Sequence, residues 1–283
     1  MKNIRIKCPA KINLTLEIVN RREDGFHNIN SIMQLISLFD FLEISVEDSL
    51  ETIIELSGTS PDIPYNEKNL VYKAANLFLE TTGIEKKKIK IFIEKNIPIA
   101  AGLAGGSTDA AGTLYGLNLL FNQPLTKDKL NELCSKLGSD LNVCLQGGCQ
   151  LATSRGEKTS PLPVAAYPVT LIKPRGLGIS AKEAYTKYAE KKEKLVFNNT
   201  EKMITALKNG TDIKEYLYND LEYAIFDDYR ELQTIKKSIP NSIMSGSGST
   251  YFVLEKNVPE LSGDFDIYPN LEFIDFGCLE ATF

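Results

Sequence analysis

Pro98-Ile99-Ala100-Ala101-Gly102-Leu103-Ala104-Gly105-Gly106-Ser107-Thr108-Asp109-Ala110-Ala111 is the stretch on which the reading of this chain turns. Ile97 and Pro98 close an apparent strand running from Lys90 to Lys95. The glycines at 102, 105 and 106 permit positive φ and close approach to a ligand. Ser107, Thr108 and Asp109 are helix N-cap types, and beyond them Ala110, Leu114, Leu117 and Phe121 recur at helical spacing. A glycine-rich loop therefore feeds a helix N-terminus, whose orphan N–H groups and partial positive charge suit a phosphate. The plainer alternative is an ordinary Gly/Ser turn. The loop's length, its small apolar residues and its direct entry into a helix favour the anion site. It is no Walker A loop, because no lysine follows the glycines. A dinucleotide fingerprint also fits poorly: no Gly-x-Gly opens the loop, although Glu132 follows at some distance.

Composition bounds the rest. The chain has 283 residues, 43% apolar and 24% charged, which is room for one large or two ordinary soluble domains with a substantial core. A net charge of −5 argues against a nucleic-acid or anionic-membrane surface. Cys8, Cys134, Cys144, Cys149 and Cys278 form no CxxC pair, which reads as reduced thiols in a cytoplasmic protein. With His27 the only histidine, no metal-ligand set is legible. No apolar leader or membrane span is apparent.

Taken in order, residues 4–8 alternate as a strand, Pro9 interrupts, and Ala10 to Ile18 alternates strictly as a second strand. Lys11 and Asn13 share one face, and alternation alone makes Lys11 a solvated strand lysine. Arg21 to His27 is a charged turn around Asp24-Gly25 that delivers an aromatic and the histidine, either incidental or for recognition. Strands are expected near Ser31–Ile36, Phe41–Val46 and Thr52–Leu56, and helices over Asn69–Thr82 and from Thr126 to Gly138. Asp140 follows that helix end, as a cap or as a working group. Pro161, Pro163 and Pro168 mark a boundary. It separates residues 1–158 from residues 159–283, which read as an α+β part. The second part reads as a strand Val169–Ile172, a helix Ser180–Lys191 and a lysine-rich linker. Helices near Glu201–Lys208 and Asp228–Lys237 follow, then strands Tyr251–Leu254 and Leu271–Phe276. The second glycine cluster, Ser245 to Thr250, has the composition of a tight turn.

Pro9-Ala10-Lys11-Ile12-Asn13-Leu14, Pro98 to Ala111 and Ser245 to Thr250, in this order, resemble the GHMP small-molecule kinase superfamily. The turn Arg22 to His27, Ser31-Ile32-Met33-Gln34, Gly138-Ser139-Asp140, Gly147-Gly148 and Arg155-Gly156-Glu157 narrow the resemblance. It narrows to the kinases whose acceptor is a cytidine-diphosphate-linked methylerythritol, over nearly the whole chain. The resemblance implies a two-domain α+β fold with the active site in the cleft. It implies transfer of the ATP γ-phosphoryl group to the 2-hydroxyl of that acceptor, in the non-mevalonate route to isoprenoid precursors. Carried over by position, Asp140 is the catalytic base and Lys11 its partner. Asn13 lies near the acceptor hydroxyl, and His27 reads cytosine between Phe26 and Tyr185. Asn69 and Lys95 lie near the adenine and its phosphates, and the loop from Pro98 through Ala101 to Thr108 holds the phosphates. Mg²⁺ is expected on phosphate oxygens and water, with few protein ligands. A monomer or weak homodimer is expected.

Some positions depart from that pattern. Ala104 stands where glycine is usual, which is tolerable if its φ is negative. Thr108 replaces serine, Leu141-Asn142-Val143 replaces Val-Pro-Phe, Phe26 replaces tyrosine, and Ala181 replaces Ser or Thr. The competing readings are a relative acting on homoserine, mevalonate or a sugar, and a non-catalytic nucleotide-binding relative.

Overall fold

The computed structural model describes residues 2–191 and 198–282; the lysine-rich linker falls largely outside them. The N-terminal half runs β1 (Lys2–Arg21), β2 (His27–Asp48), β3 (Ile53–Gly58), α1 (Leu70–Thr82), β4 (Lys87–Glu94), α2 (Gly105–Leu120), α3 (Lys127–Leu137), α4 (Leu141–Gln146), β5 (Cys149–Thr153) and β6 (Lys158–Leu162). The remainder runs β7 (Pro168–Pro174), α5 (Ala181–Glu190), α6 (Asn199–Asn209), β8 (Tyr218–Asn219), α7 (Asp220–Ile225), α8 (Arg230–Ser238), β9 (Ile243–Met244), β10 (Tyr251–Val253), β11 (Phe265–Glu272) and β12 (Leu279–Ala281). The fold is α+β, as expected. The larger sheet has the order β12-β1-β2-β4-β3, with β5 on β2, β6 on β5 and β8 parallel to β1. The smaller has the order β11-β7-β10-β9. Strands on both sides of residue 158 thus build the larger sheet.

Three expectations are corrected here. Pro9 does not end a strand. β1 runs through it, paired antiparallel with β2, and the register slips between Pro9 and Ala10. A bulge accommodates the missing N–H and bends the ribbon. Beyond the bend β2 pairs with β4 through Phe41–Asp48, and before it with β5 through Ser31–Gln34. The strand expected at Leu271–Phe276 instead spans Phe265–Glu272, because its partner β7 offers pairing only from Pro174 back to Pro168, across a register shift between Tyr268 and Leu271. The third correction bears on the site. Ala10, Ile12 and Leu14 are buried, but so are Lys11, Asn13 and Thr15 on the opposite face. The polar row is covered rather than solvated: Lys11 Nζ donates to Gly102 O of the glycine loop, and Thr200 of α6 donates to the Thr15 hydroxyl.

The helical layer follows from periodicity. Val71, Ala74, Ala75 and Phe78 of α1, and Ala110, Leu114 and Leu117 of α2, pack with Leu130 and Leu133 of α3. Their partners on the sheet include Ile6, Leu42, Ile44 and Ile91. Burial of each such side chain is worth roughly 1.5–3 kcal/mol, and this layer fixes where α2 begins.

Candidate active site

Side chains from β1, the glycine loop and α5 meet around a cavity of about 980 Å³. On its floor Lys11 Nζ lies 2.7 Å from Asn13 Oδ1, 3.0 Å from the Gly102 carbonyl and 3.5 Å from Asp140 Oδ2. Asn13 and Gly102 accept two of the ammonium's three hydrogens, and Asp140 stands within ion-pair distance. Asp140 precedes α4 but makes no side-chain cap bond. Its carboxylate, about a quarter exposed, faces Lys11 and the cavity. Of the two roles left open for Asp140, the cap is the one its side chain does not fill.

The glycine loop is seated by Ile97, Ala101 and Leu103, all buried, and by two backbone bonds. Lys11 N donates to Leu103 O at 3.1 Å and Thr250 N to Ala101 O at 3.3 Å. Helix α2 starts at Gly105, two residues before Ser107. Its N-cap is therefore Ala104, with no side-chain cap; none of the polar residues at 107–109 serves. Ala104 sits at φ +60°. Negative φ was the condition for a methyl there, so the site carries a left-handed alanine, a conformation glycine adopts without cost. Left uncapped by any side chain, the first N–H groups of α2 keep their binding capacity. Gly102, Ala104 and Ser107 line the cavity. Pro98, Ala101, Leu103, Gly105, Gly106 and Thr108 do not line it. Thr108 is buried with its hydroxyl 3.9 Å from Cys278 Sγ.

The second glycine cluster is more than a turn. Ser245 Oγ donates to Gly102 O at 2.9 Å, and Asn219 Nδ2 donates to the carbonyls of Met244 and Gly246. Gly246 and Ser247 thereby join the cavity wall beside Gly102.

At the other end the turn after β1 is held by Arg22, which pairs with Asp24 at 2.9 Å and donates to Ser154 Oγ at 3.2 Å. The Arg22 guanidinium holds the exposed Asp24 carboxyl below its ordinary range. His27 opens β2, and its ring stacks on Tyr185 with centroids 5.2 Å apart and planes 15° from parallel. Phe26 is 54% exposed, with the Arg155 guanidinium 5.2 Å from its ring centre. Tyr185 thus lies against His27 in this structure, and Phe26 lines the same cavity. Burial, with Asp140 and Asp220 nearby, pushes the Tyr185 hydroxyl upward in pKa.

Asn69 and Lys95 stand apart from the cavity walls. Asn69 caps α1, accepting from Val71 N at 2.9 Å and donating to Pro64 O at 2.7 Å. Lys95 is buried in an ion pair with Asp40 and, at 2.8 Å, with Asp109. Asp40 Oδ1 also accepts from the Asn96 and Ile97 amides at 2.6 and 2.8 Å, so this cluster ties the loop's entry to α2. Burial and the neighbouring Asp40 push the Asp109 carboxyl up to about 8 against the pull of Lys95, and its Oδ1 is buried without a partner. Burial alone would lower Lys95; Asp109 and Asp40 override it and raise it.

A pH dependence follows from this cluster. Between the unfolded value of 3.8 and about 8, the folded state keeps a proton on Asp109 that the unfolded chain has lost. The stability this group contributes therefore falls as pH rises through that window. The Tm of wild type minus that of Asp109→Asn should fall from pH 4 to pH 8 in scanning calorimetry. Parallel curves would remove the assignment.

Arg21, Arg155, Lys182 and Ser247 line the cavity without having been singled out individually as site residues from the sequence. Arg21, Arg155 and Ser247 lay within quoted stretches; Lys182 gave no signal beyond its neighbours.

Residues 69–150 match the family model described as the GHMP kinases N terminal domain. The chain is 41% identical over 266 residues to the 4-diphosphocytidyl-2-C-methyl-D-erythritol kinase of Caldanaerobacter subterraneus subsp. tengcongensis, covering 91% of this chain and 90% of that protein. It is 40% identical to the protein of the same name from Clostridium botulinum, covering 88% and 90%. Among solved structures, a 4-(cytidine 5'-diphospho)-2C-methyl-D-erythritol kinase superposes with a TM-score of 0.75 at 30% identity, covering 95% of this chain and 99% of that one. A homoserine kinase from Cytophaga hutchinsonii superposes at 0.77 with 18% identity, covering 99% and 98%, a likeness of fold alone. With two fifths of its residues shared along nine tenths of its length, the chain belongs to the 4-diphosphocytidyl-2-C-methyl-D-erythritol kinase family of the GHMP kinases.

Proposed function

We propose that the chain transfers the γ-phosphoryl group of ATP to the 2-hydroxyl of 4-(cytidine 5'-diphospho)-2-C-methyl-D-erythritol. The observation that carries this reading is the approach of Lys11 to Asp140, 3.5 Å, where the two glycine loops meet. Phosphoryl transfer needs alignment and charge neutralisation more than covalent help. Asp140 takes the proton of the acceptor hydroxyl. Lys11, held by Asn13 and Gly102, stabilises the developing alkoxide and the transferring group. The uncapped N–H groups at the start of α2 and the Ser107 hydroxyl bear the triphosphate charge.

Among the described residues no three His, Cys, Asp or Glu side chains group as a metal site. Magnesium would therefore arrive on the triphosphate with Ser107 as the protein donor beside it, neutralising phosphate charge. Cytosine binds at the His27 end. To admit the base against Tyr185, the His27 ring turns from face-on to edge-on, exchanging one stacking contact for another. Base stacking on Phe26 and Tyr185 is worth roughly 1–3 kcal/mol. Arg21, Arg155 and Lys182 place positive charge along the walls for the acceptor's diphosphate. Asn69 and Lys95 remain candidates for the nucleotide end, both now held by internal bonds.

We take residues 1–158 as the nucleotide half and 159–283 as the half that completes the substrate site, with β12 lent back to the larger sheet. Both glycine loops and the Lys11–Asp140 pair come from one chain, which supports a monomer or weak homodimer as the working form. The buried free cysteines suit a cytoplasmic location, and among the described residues no helix is long and apolar enough to cross a membrane.

The test is ADP release with the purified protein, offered the cytidine-linked acceptor, homoserine and mevalonate in turn. Turnover is expected with the first only, and cytidine diphosphate should inhibit it competitively. No turnover with that acceptor, or preference for homoserine or mevalonate, overturns the reading.

A further inference from the structure

We infer that Ser31, a β2 side chain outside the cavity wall, is a positioning residue that sets the orientation of Asn13 and through it of Lys11. The inference rests on the function just proposed. Ser31 is fully buried. Its hydroxyl donates to the Thr15 carbonyl at 2.6 Å, and its oxygen accepts from Asn13 Nδ2 at 2.8 Å. Asn13 Oδ1 in turn accepts from Lys11 Nζ at 2.7 Å.

The two ends of this chain fix its direction. A backbone carbonyl only accepts, and an ammonium only donates. Ser31 has one proton, and Thr15 O takes it. The Ser31 oxygen can then only accept, so Asn13 must turn its NH2 towards Ser31 and its oxygen towards Lys11. Amide orientation is ordinarily inferred from surroundings; here the surroundings leave one answer. Without the Ser31 hydroxyl, nothing in the chain holds Asn13 Nδ2, and a flipped amide would set NH2 against the ammonium. Lys11 would then keep Gly102 O and Asp140 and lose its shortest bond.

Thr200 provides the contrast. It is buried beside the same strand, where its Oγ1 donates to Thr15 Oγ1 at 3.0 Å. That bond does not lie between Thr15 O and Lys11, so Thr200 supports packing without orienting the amide.

The experiment compares wild type, Ser31→Ala, Ser31→Thr and Thr200→Val. It measures steady-state kinetics with ATP and the cytidine-linked acceptor, thermal melting, and the side-chain 15NH2 resonances of selectively labelled asparagine. Ser31→Ala should lower kcat about tenfold with KM for ATP unchanged within twofold, and should speed solvent exchange of the Asn13 amide. Ser31→Thr, which keeps the hydroxyl, should recover most of both. Thr200→Val should leave kcat within twofold. Unchanged kcat and amide exchange in Ser31→Ala overturn the inference; so does an equal loss in Thr200→Val, or a loss in Ser31→Ala that tracks Tm alone. Should Ser31→Ala fail to fold, slow exchange of the Asn13 amide in wild type supports the chain, and exchange at the solvent rate overturns it. Should wild type fail to turn over the acceptor, the functional proposal falls, while the amide spectra still decide the role of Ser31.

Discussion

Asp140→Asn is expected to lower kcat by about 10²–10⁴-fold, the range that a positioned general base contributes, while ATP still binds. Asparagine keeps the shape of the side chain and removes its capacity to take a proton. The fold should not register the change strongly. Asp140 makes no capping bond to α4, and Lys11 retains Asn13 at 2.7 Å and Gly102 O at 3.0 Å. On the proposed reading, charge loss beside Lys11 acts on the reacting hydroxyl, while the glycine loop would keep its hold on the nucleotide's phosphates. ADP release and nucleotide titration by calorimetry separate the two effects. A variant keeping more than a tenth of wild-type kcat would show that another group accepts the proton. A variant that loses nucleotide binding equally would make Asp140 part of the ATP site.

How far the sequence reaches can be followed through Lys11. Alternation correctly put Lys11 and Asn13 on one face of a strand, because side-chain direction is a local property of an extended backbone. It could not say that this face would be covered. The cover comes from Gly102, whose carbonyl accepts from Lys11 Nζ, and from Thr200, which bonds the Thr15 hydroxyl. These lie too far along the chain for any window to contain. The resemblance to the GHMP kinases joined positions 11 and 140, which spacing alone could not.

The start of α2 was misplaced for a different reason. Ser107 to Asp109 have the composition of caps, but the helix begins where the loop's backbone first turns, at Gly105, after an alanine held at φ +60°. Tertiary seating of Ile97, Ala101 and Leu103 outweighs both cap preference and the cost of that φ. Lys95, which the resemblance places near the nucleotide, shows the same limit: its pairing with Asp40 of β2 and Asp109 of α2 spans more chain than a local window contains.

Gly102→Ala should be the most damaging single methyl in the loop. A Cβ on Gly102 would stand 2.0 Å from Ser245 O, 3.0 Å from Ser245 C and 3.1 Å from Gly248 N, at φ +75°. All three are backbone atoms, so no side chain can turn aside, and the two glycine loops must part. Their separation moves the Gly102 carbonyl, which accepts from both Lys11 Nζ and Ser245 Oγ. The same methyl therefore strains the backbone, opens the cavity wall and releases the lysine. kcat should fall more than about 10²-fold, the penalty for displacing a catalytic group by roughly 1 Å, and Tm should fall with it. Gly106→Ala is the comparison within the same motif. Its added Cβ meets nothing closer than Leu70 Cδ1 at 3.9 Å, and alanine suits a helix better than glycine by up to about 1 kcal/mol, so its Tm should hold or rise. Melting curves and ADP release on the pair distinguish the mechanisms. If Gly102→Ala folds and keeps wild-type kcat, the contact between the loops is not what holds Lys11 to Asp140.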